Sequence, residues 1–248
     1  MRLKAKLLPA ARGLLFTLAL LASQAPATTA RDTTGEQAKK AAERAANAAR
    51  ILATATGDKG IPRELLEKAQ AVAVFPHLVK TKLLFEHLSI SYGVVSARLP
   101  AGWSYPAYYA FGGGGFEFNV PGGETADVVM LFMNAEAVGW FQKGRLEFKD
   151  KRKAVKGEVG PLTNEQRASL AEANIILYTV AGGEVSGKGF DSNFFNSFGL
   201  NPDNKLNKAV YGIKSSETLA GKPNKAGPPP PHEVTDFRDA LSRLLPAR

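Results

Sequence analysis

The chain has 248 residues, of which 44% are hydrophobic and 22% are charged, an ordinary globular composition with enough length for one sizeable core. It contains no cysteine, which excludes disulfides and a lipid anchor attached to an N-terminal cysteine. Its formal net charge of +9 is concentrated at the N-terminus and in one internal segment.

Residues 1–27 have the pattern of a secretory signal peptide. Four basic residues precede or flank an apolar run at residues 13–22, and cleavage is expected after Ala27, with Ala25 and Ala30 as alternatives. A transmembrane anchor is the competing interpretation, but the run is about half of the roughly 20 residues that a spanning helix needs. We therefore expect an exported protein, periplasmic or secreted, that loses four positive charges on maturation.

The mature chain begins with predicted helices. Small apolar residues recur every three or four positions over residues 36–54 and predict one helix face, made of Ala38, Ala42, Ala45, Ala49 and Leu52. The opposite side is expected to face solvent and carries Glu36, Lys40, Glu43, Asn47 and Arg50. Gly57 ends this helix, and a second, short helix is predicted from Pro62 to Gln70.

Strand signals follow. The apolar run Ala71–Phe75 predicts a strand closed by Pro76, and the alternation over Leu88–Ala97 predicts a strand with Gly93 as a kink or bulge.

The centre of the chain predicts a hairpin. Its first strand runs from Ala107 through an alternating stretch at residues 116–120, the turn is Pro121-Gly122-Gly123, and the return strand is Ala126–Met133. The return strand lacks alternation, so we expect it to be a central strand covered on both faces.

The C-terminal half mixes helices and strands. Asn134 is a predicted N-cap, a polar helix is expected near residues 165–173, a strand at Ile175–Val180, and a helix at Leu206–Tyr211 closed by Gly212. A proline-rich linker follows at residues 222–232, and residues 233–248 predict an amphipathic helix with an apolar face of Val234, Phe237, Leu241, Leu244 and Leu245. Crossover helices between successive strands are missing, so the fold class is α+β: a largely antiparallel sheet or barrel-like core with the packed N-terminal helix and peripheral helices.

Catalytic signals are weak. The three histidines, His77, His87 and His232, show no metal-binding spacing, and no metal site or cofactor is expected. Residues 112–115 lack the lysine and helix start of a phosphate-binding loop, and Ser186 is displaced by one from a nucleophile elbow. A hydrolase would need a spatial pair among scattered carboxylates such as Asp127, Glu158 and Asp191. We expect that the protein is not an enzyme.

The clearest physical feature is a basic segment at residues 143–156, where seven basic residues stand against Glu147 and Asp150. These cations are expected to bind anionic lipid, at about 1 kcal/mol each near an anionic surface; they are Lys143, Arg145, Lys149, Lys151, Arg152, Lys153 and Lys156. The plain alternative is a solvated loop that serves solubility. Nucleic acid is not an expected partner of an exported protein.

Residues 103–134 resemble the signature of the SYLF-domain family, in which Trp-Ser-x-Pro is followed by a glycine-rich aromatic hairpin and a strand like D-V-V-x-x-F-M. The matching residues, expected to be structural, are Trp103, Ser104, Pro106, Gly112, Gly113, Gly114, Gly115 and Asp127. Weaker similarity covers about residues 36–220, which predicts one SYLF-like domain at residues 28–221.

The resemblance implies a lipid-binding module, since eukaryotic relatives bind phosphoinositides and some engage actin. Residues 80–87 and 178–183 depart from the family pattern and leave ligand specificity open. We therefore predict a non-enzymatic module that binds anionic phospholipid or a membrane surface. The alternative is a protein-interaction or cell-envelope structural module that acts through the C-terminal helix on an envelope partner.

Overall fold

A computed structural model describes residues 27–83, 86–114, 125–143, 146–147, 154–190, 198–225 and 230–245. The predicted signal peptide, apart from Ala27, lies outside these residues. The described helices are α1 (Ala27–Ala55), α2 (Arg63–Lys68), α3 (Ala135–Gly139), α4 (Asn164–Ala171), α5 (Asn204–Tyr211), α6 (Ser215–Leu219) and α7 (His232–Leu244), with a 3-10 turn at Trp140–Lys143.

One sheet organises the chain. Its strands are β1 (Ala71–Leu83), β2 (Glu86–Leu99), β3 (Gly102–Trp103), β4 (Ala107–Gly114), β5 (Thr125–Phe132), β6 (Leu146–Glu147), β7 (Ala154–Lys156), β8 (Ile175–Ala181), β9 (Glu184–Ser186) and β10 (Phe198–Pro202). The order is β6-β10-β4-β2-β1-β5-β8-β7, with β3 beside β2 and β9 beside β8. All described pairs are antiparallel except β7 with β8, so the predicted α+β class with a largely antiparallel sheet is confirmed.

The sheet curls into a half-barrel. The edge strands β6 and β7 are consecutive in the chain, and Glu147 is only seven residues from Ala154, so their Cα atoms lie within about 25 Å of each other. Eight strands laid flat at about 4.8 Å spacing would hold the two edges about 34 Å apart. The short connection therefore requires curvature.

Strand β5 is the central strand that its sequence predicts. It lies between β1 and β8, and residues 128–132 are fully buried. Val129 and Leu131 belong to the core on the side of α1, whereas Val128, Met130 and Phe132 belong to the core on the other side. Both faces are covered, which explains the missing alternation.

Helix α1 packs against the sheet and against α7. Its fully buried residues are Ala41, Ala45, Ala48, Leu52 and Ala55. Two of the five residues of the predicted face, Ala45 and Leu52, are therefore confirmed as fully buried, while Ala38, Ala42 and Ala49 are partly exposed. Because α1 contacts α7 as well as the sheet, its buried face is rotated about the helix axis relative to the predicted face. The small side chains let both neighbours approach closely.

Helix α7 belongs to this same core. Val234, Phe237 and Leu241 are fully buried and Leu245 is 3% exposed, all within the cluster that contains the buried side of α1. The helix predicted after the proline linker therefore docks on the domain through its apolar face.

Strand β1 does not stop at Pro76, as the sequence predicted, but continues to Leu83. The pairing register shifts between Val74 and Val79 against β2, so Pro76 lies in a bulge where no backbone N–H is needed for the ladder. Gly93 lies opposite, and a Cβ there would collide with the carbonyl oxygen of Val74. The predicted irregularity at Gly93 is thus a close approach to a bulge in the neighbouring strand.

The predicted hairpin is wrong for the strands that the structure describes. Strands β4 and β5 are separated by β2 and β1, because β5 pairs with β1 and β8. Residues 115–124, which include the predicted alternating stretch and turn, lie outside the described part of the chain.

Candidate functional site

Trp103 lies on β3 and holds the C-terminal end of the domain. Its indole Nε1 donates a hydrogen bond to the carbonyl oxygen of Leu245 at 3.1 Å, and the guanidinium of Arg98 stacks 4.5 Å from the ring centroid. The side chain is 6% exposed. Trp103 therefore joins the β2–β3 corner to the end of α7.

Ser104 and Pro106 fix the chain between β3 and β4. The Ser104 hydroxyl accepts a hydrogen bond from the Ala97 amide at 3.0 Å and donates one to the Tyr105 carbonyl at 2.9 Å. The Pro106 carbonyl accepts a hydrogen bond from the buried Tyr211 hydroxyl at 3.0 Å. These contacts are internal to the fold.

The described glycines of the run at residues 112–115 lie in a strand and not in a loop. Gly112, Gly113 and Gly114 lie on β4, paired with β2, while Gly115 lies outside the described residues. A Cβ at Gly112 would stand 2.7 Å from the Ser89 carbonyl oxygen, so this glycine permits a close approach of the two strands.

Asp127 supports the bulge in β1. Its carboxylate accepts hydrogen bonds from the His77 backbone N–H at 2.8 Å and from the His77 Nδ1 at 3.2 Å. His77 has φ of 51°, a left-handed backbone conformation that costs a non-glycine residue energy. The carboxylate thus stabilises a strained position.

The basic segment connects the two edges of the half-barrel. Lys143 ends the 3-10 turn and Lys156 ends β7 with its side chain exposed. Arg145, Lys149, Lys151, Arg152 and Lys153 lie outside the described residues. Four of these five belong to residues 148–153, which follow β6 and precede β7 in the sequence.

Titratable groups with strongly shifted pKa are interior tyrosines. Burial raises the pKa of Tyr108, Tyr109 and Tyr211, and Tyr109 has no hydrogen-bond partner for its hydroxyl among the described residues. Tyr211 stacks between Tyr105 and Tyr108, with ring centroids 5.8 and 6.2 Å away. These groups pack the core and do not converge on a cleft.

Side chains considered for catalysis are engaged elsewhere. The Ser186 hydroxyl lies 3.1 Å from the Thr179 hydroxyl and accepts a hydrogen bond from the Lys188 amide. His232 lies beside Asp236 on the same helix. The described residues contain no group of three or more histidine or acidic side chains arranged to hold a metal ion.

The β1–β2 hairpin carries a strip of exposed apolar side chains that was not predicted from the sequence. Val79, Ile90 and Tyr92 are 40%, 43% and 49% exposed on one face of the β1–β2 hairpin. Alternation over Leu88–Ala97 predicted the strand that carries Ile90 and Tyr92, whereas no strand was predicted at Val79. The sequence also could not show where the cover provided by α1 ends.

Residues 112–244 match the Ysc84 family, described as Las17-binding protein actin regulator. Because the match covers more than half of the chain, the protein belongs to this family of SYLF domains. The matched region extends through α7, in agreement with the packing of that helix in the core. No curated protein is detectably similar to the chain in sequence. None of the described helices is both long and apolar enough to span a bilayer.

Proposed function

We propose that this SYLF domain is an exported, non-enzymatic module that binds anionic phospholipid at a membrane surface through residues 143–156. The observation that carries the proposal is the concentration of seven basic residues against two acidic ones in a chain that belongs to this family.

The geometry of the basic segment supports this function. Its described ends lie at the two edges of the half-barrel, and Lys156 is exposed. Basic residues that are close together in sequence can act jointly on a charged surface, with about 1 kcal/mol gained per residue near an anionic leaflet. Leu146, Phe148 and Val155 provide apolar side chains within the same segment.

Charge reversal tests the proposal. In the variant Lys151→Glu, Arg152→Glu, Lys153→Glu, cosedimentation with anionic vesicles should fall to the level seen with neutral vesicles. A matched control, Lys59→Glu, Lys188→Glu, Lys205→Glu, makes the same charge change at scattered exposed lysines and should retain most of the binding. Equal losses in both variants would mean that overall charge is responsible, and unchanged binding in the first would refute the assignment to this segment.

Protein binding is a second candidate, favoured by the family description as a Las17-binding protein and actin regulator. The apolar face of α7 is buried, so a partner of the folded domain would contact its exposed residues, which include Glu233, Ser242 and Arg243. Glu233→Lys with Arg243→Glu should then abolish capture of a defined envelope partner and leave vesicle binding intact. Deleting α7 would be uninformative because it would open the core.

A further inference from the structure

The β1–β2 hairpin carries three of the four large apolar side chains that are exposed in the described part of the chain. These three are Val79, Ile90 and Tyr92, and the fourth is Val159. Clustering of exposed apolar side chains on a soluble domain marks an interaction surface, whereas isolated ones need no explanation.

The three side chains form a continuous strip. Val79 is the cross-strand partner of Ile90, and Tyr92 follows Ile90 by two residues on the same face of β2. Two residues further on, Val94 is fully buried in the core beneath α1. The strip is therefore an uncovered extension of the core face.

Basic side chains of α1 stand beside the inner end of the strip. The guanidinium of Arg44 lies 4.8 Å from the centroid of the Tyr92 ring and is held by an ion pair with Asp203 at 2.9 Å. Lys40 lines the same groove, of about 370 Å³, together with Ile90. Glu43 lies in the same lining and Arg44 is buried and paired with Asp203, so Lys40, which is exposed, is the cation in this lining that an anionic headgroup could reach.

The hairpin continues past its described neighbours. Pairing of β1 with β2 extends to Leu83 and Glu86, whereas the described pairing of β1 with β5 begins at Val79 and that of β2 with β4 begins at Leu88. The strip itself lies where neighbouring strands are described, since Val79 pairs with Thr125 and Ile90 pairs with Gly112.

We propose that the strip of Val79, Ile90 and Tyr92 is a membrane-contact surface that enters the boundary between lipid headgroups and acyl chains. This inference rests on the proposed membrane binding and adds a second, apolar contact to it. A bilayer fits the strip because branched aliphatic side chains enter the acyl boundary, a tyrosine suits the interface, and the exposed Lys40 can pair with an anionic headgroup.

A single fluorescent label tests whether the strip enters the bilayer. The chain has no cysteine, so Ile90→Cys and, as a control, Val159→Cys can each be labelled at one position with an environment-sensitive dye. With anionic vesicles, the label at residue 90 should shift to the blue and be quenched by lipids that carry a quencher near the headgroup. The label at residue 159 should remain in water.

Binding measurements on a polar variant complete the test. Val79→Thr with Ile90→Thr keeps β-branched residues in the strands and should weaken partitioning onto anionic vesicles about tenfold, because apolar contact is lost. Val159→Thr should bind like the unmodified protein. If the unmodified protein binds vesicles but the label at residue 90 stays in water and the double variant binds normally, the strip assignment is overturned and the proposed function survives. If the unmodified protein binds no vesicles, both fail.

Discussion

The indole of Trp103 donates a hydrogen bond to the carbonyl oxygen of Leu245, 142 residues further along the chain. This bond joins the corner between β2 and β3 to the last turn of α7. Together with the burial of Phe237 and Leu241, it makes the C-terminal helix an integral part of the domain.

Replacement of Trp103 by phenylalanine should lower the free energy of unfolding by about 1–3 kcal/mol, since the Leu245 carbonyl loses its donor in a buried position. Denaturant unfolding followed by circular dichroism measures the change. Tyr92→Phe, at an exposed position, should change stability by less than about 0.5 kcal/mol. Equal stability of the Trp103 variant and the unmodified protein would show that the contact with α7 is dispensable.

Gly93→Ala should destabilise the domain by about 3 kcal/mol or more, because the added methyl group collides with the backbone of the bulge in β1. Gly139→Ala, in a helix with open space around the position, should be neutral or slightly stabilising. Thermal unfolding of the two variants provides the comparison. A Gly93 variant as stable as the Gly139 variant would argue against the close approach of β1 and β2.

Asp127→Ala should cost about 1–3 kcal/mol, because the His77 amide loses its acceptor at a strained backbone position. Glu136→Ala removes a negative charge from an exposed position and should have little effect on stability. Amide hydrogen exchange at residues 74–79 should accelerate only in the first variant. Unaltered exchange there would exclude a role for Asp127 in holding the bulge.

The buried tyrosines predict unfolding at alkaline pH. Burial raises the pKa of Tyr108, Tyr109, Tyr178 and Tyr211 above the usual 10.0, so the folded state retains protons that the unfolded state releases. Their contribution to stability is therefore complete below about pH 10 and is lost as the pH rises further. Phenolate absorbance should show these four ionising together with unfolding. Their ionisation in the folded protein near pH 10 would contradict the burial.

Local features of the fold were predictable from the sequence. Asn134 caps α3 by accepting a hydrogen bond from the Ala137 amide at 2.9 Å, and Gly212 ends α5 with φ of 69°, as predicted. Both depend on residues within one turn. The burial of both faces of β5 was predictable for the same reason, because continuous hydrophobicity is a property of the strand's own sequence.

Long-range relationships were not predictable. The neighbours of β5 are set by competition among distant strands. The turn residues after β4 gave no information about which strands pair with β5. Pro76 looked like a strand end because the bulge that accommodates it depends on β2 and Asp127. At the candidate site, the family resemblance identified Trp103 and Asp127 from the sequence. Their hydrogen-bond partners, Leu245 and His77, could be identified only from the structure.

Cosedimentation of residues 28–248, the chain expected to remain if the predicted signal peptide is cleaved, with neutral and anionic vesicles across a salt series tests membrane binding. We expect binding that requires anionic lipid and weakens as salt rises, because screening shortens the range of attraction to the basic segment. Some salt-resistant binding should remain from the apolar strip. Absence of binding to both kinds of vesicle would contradict the proposed membrane binding.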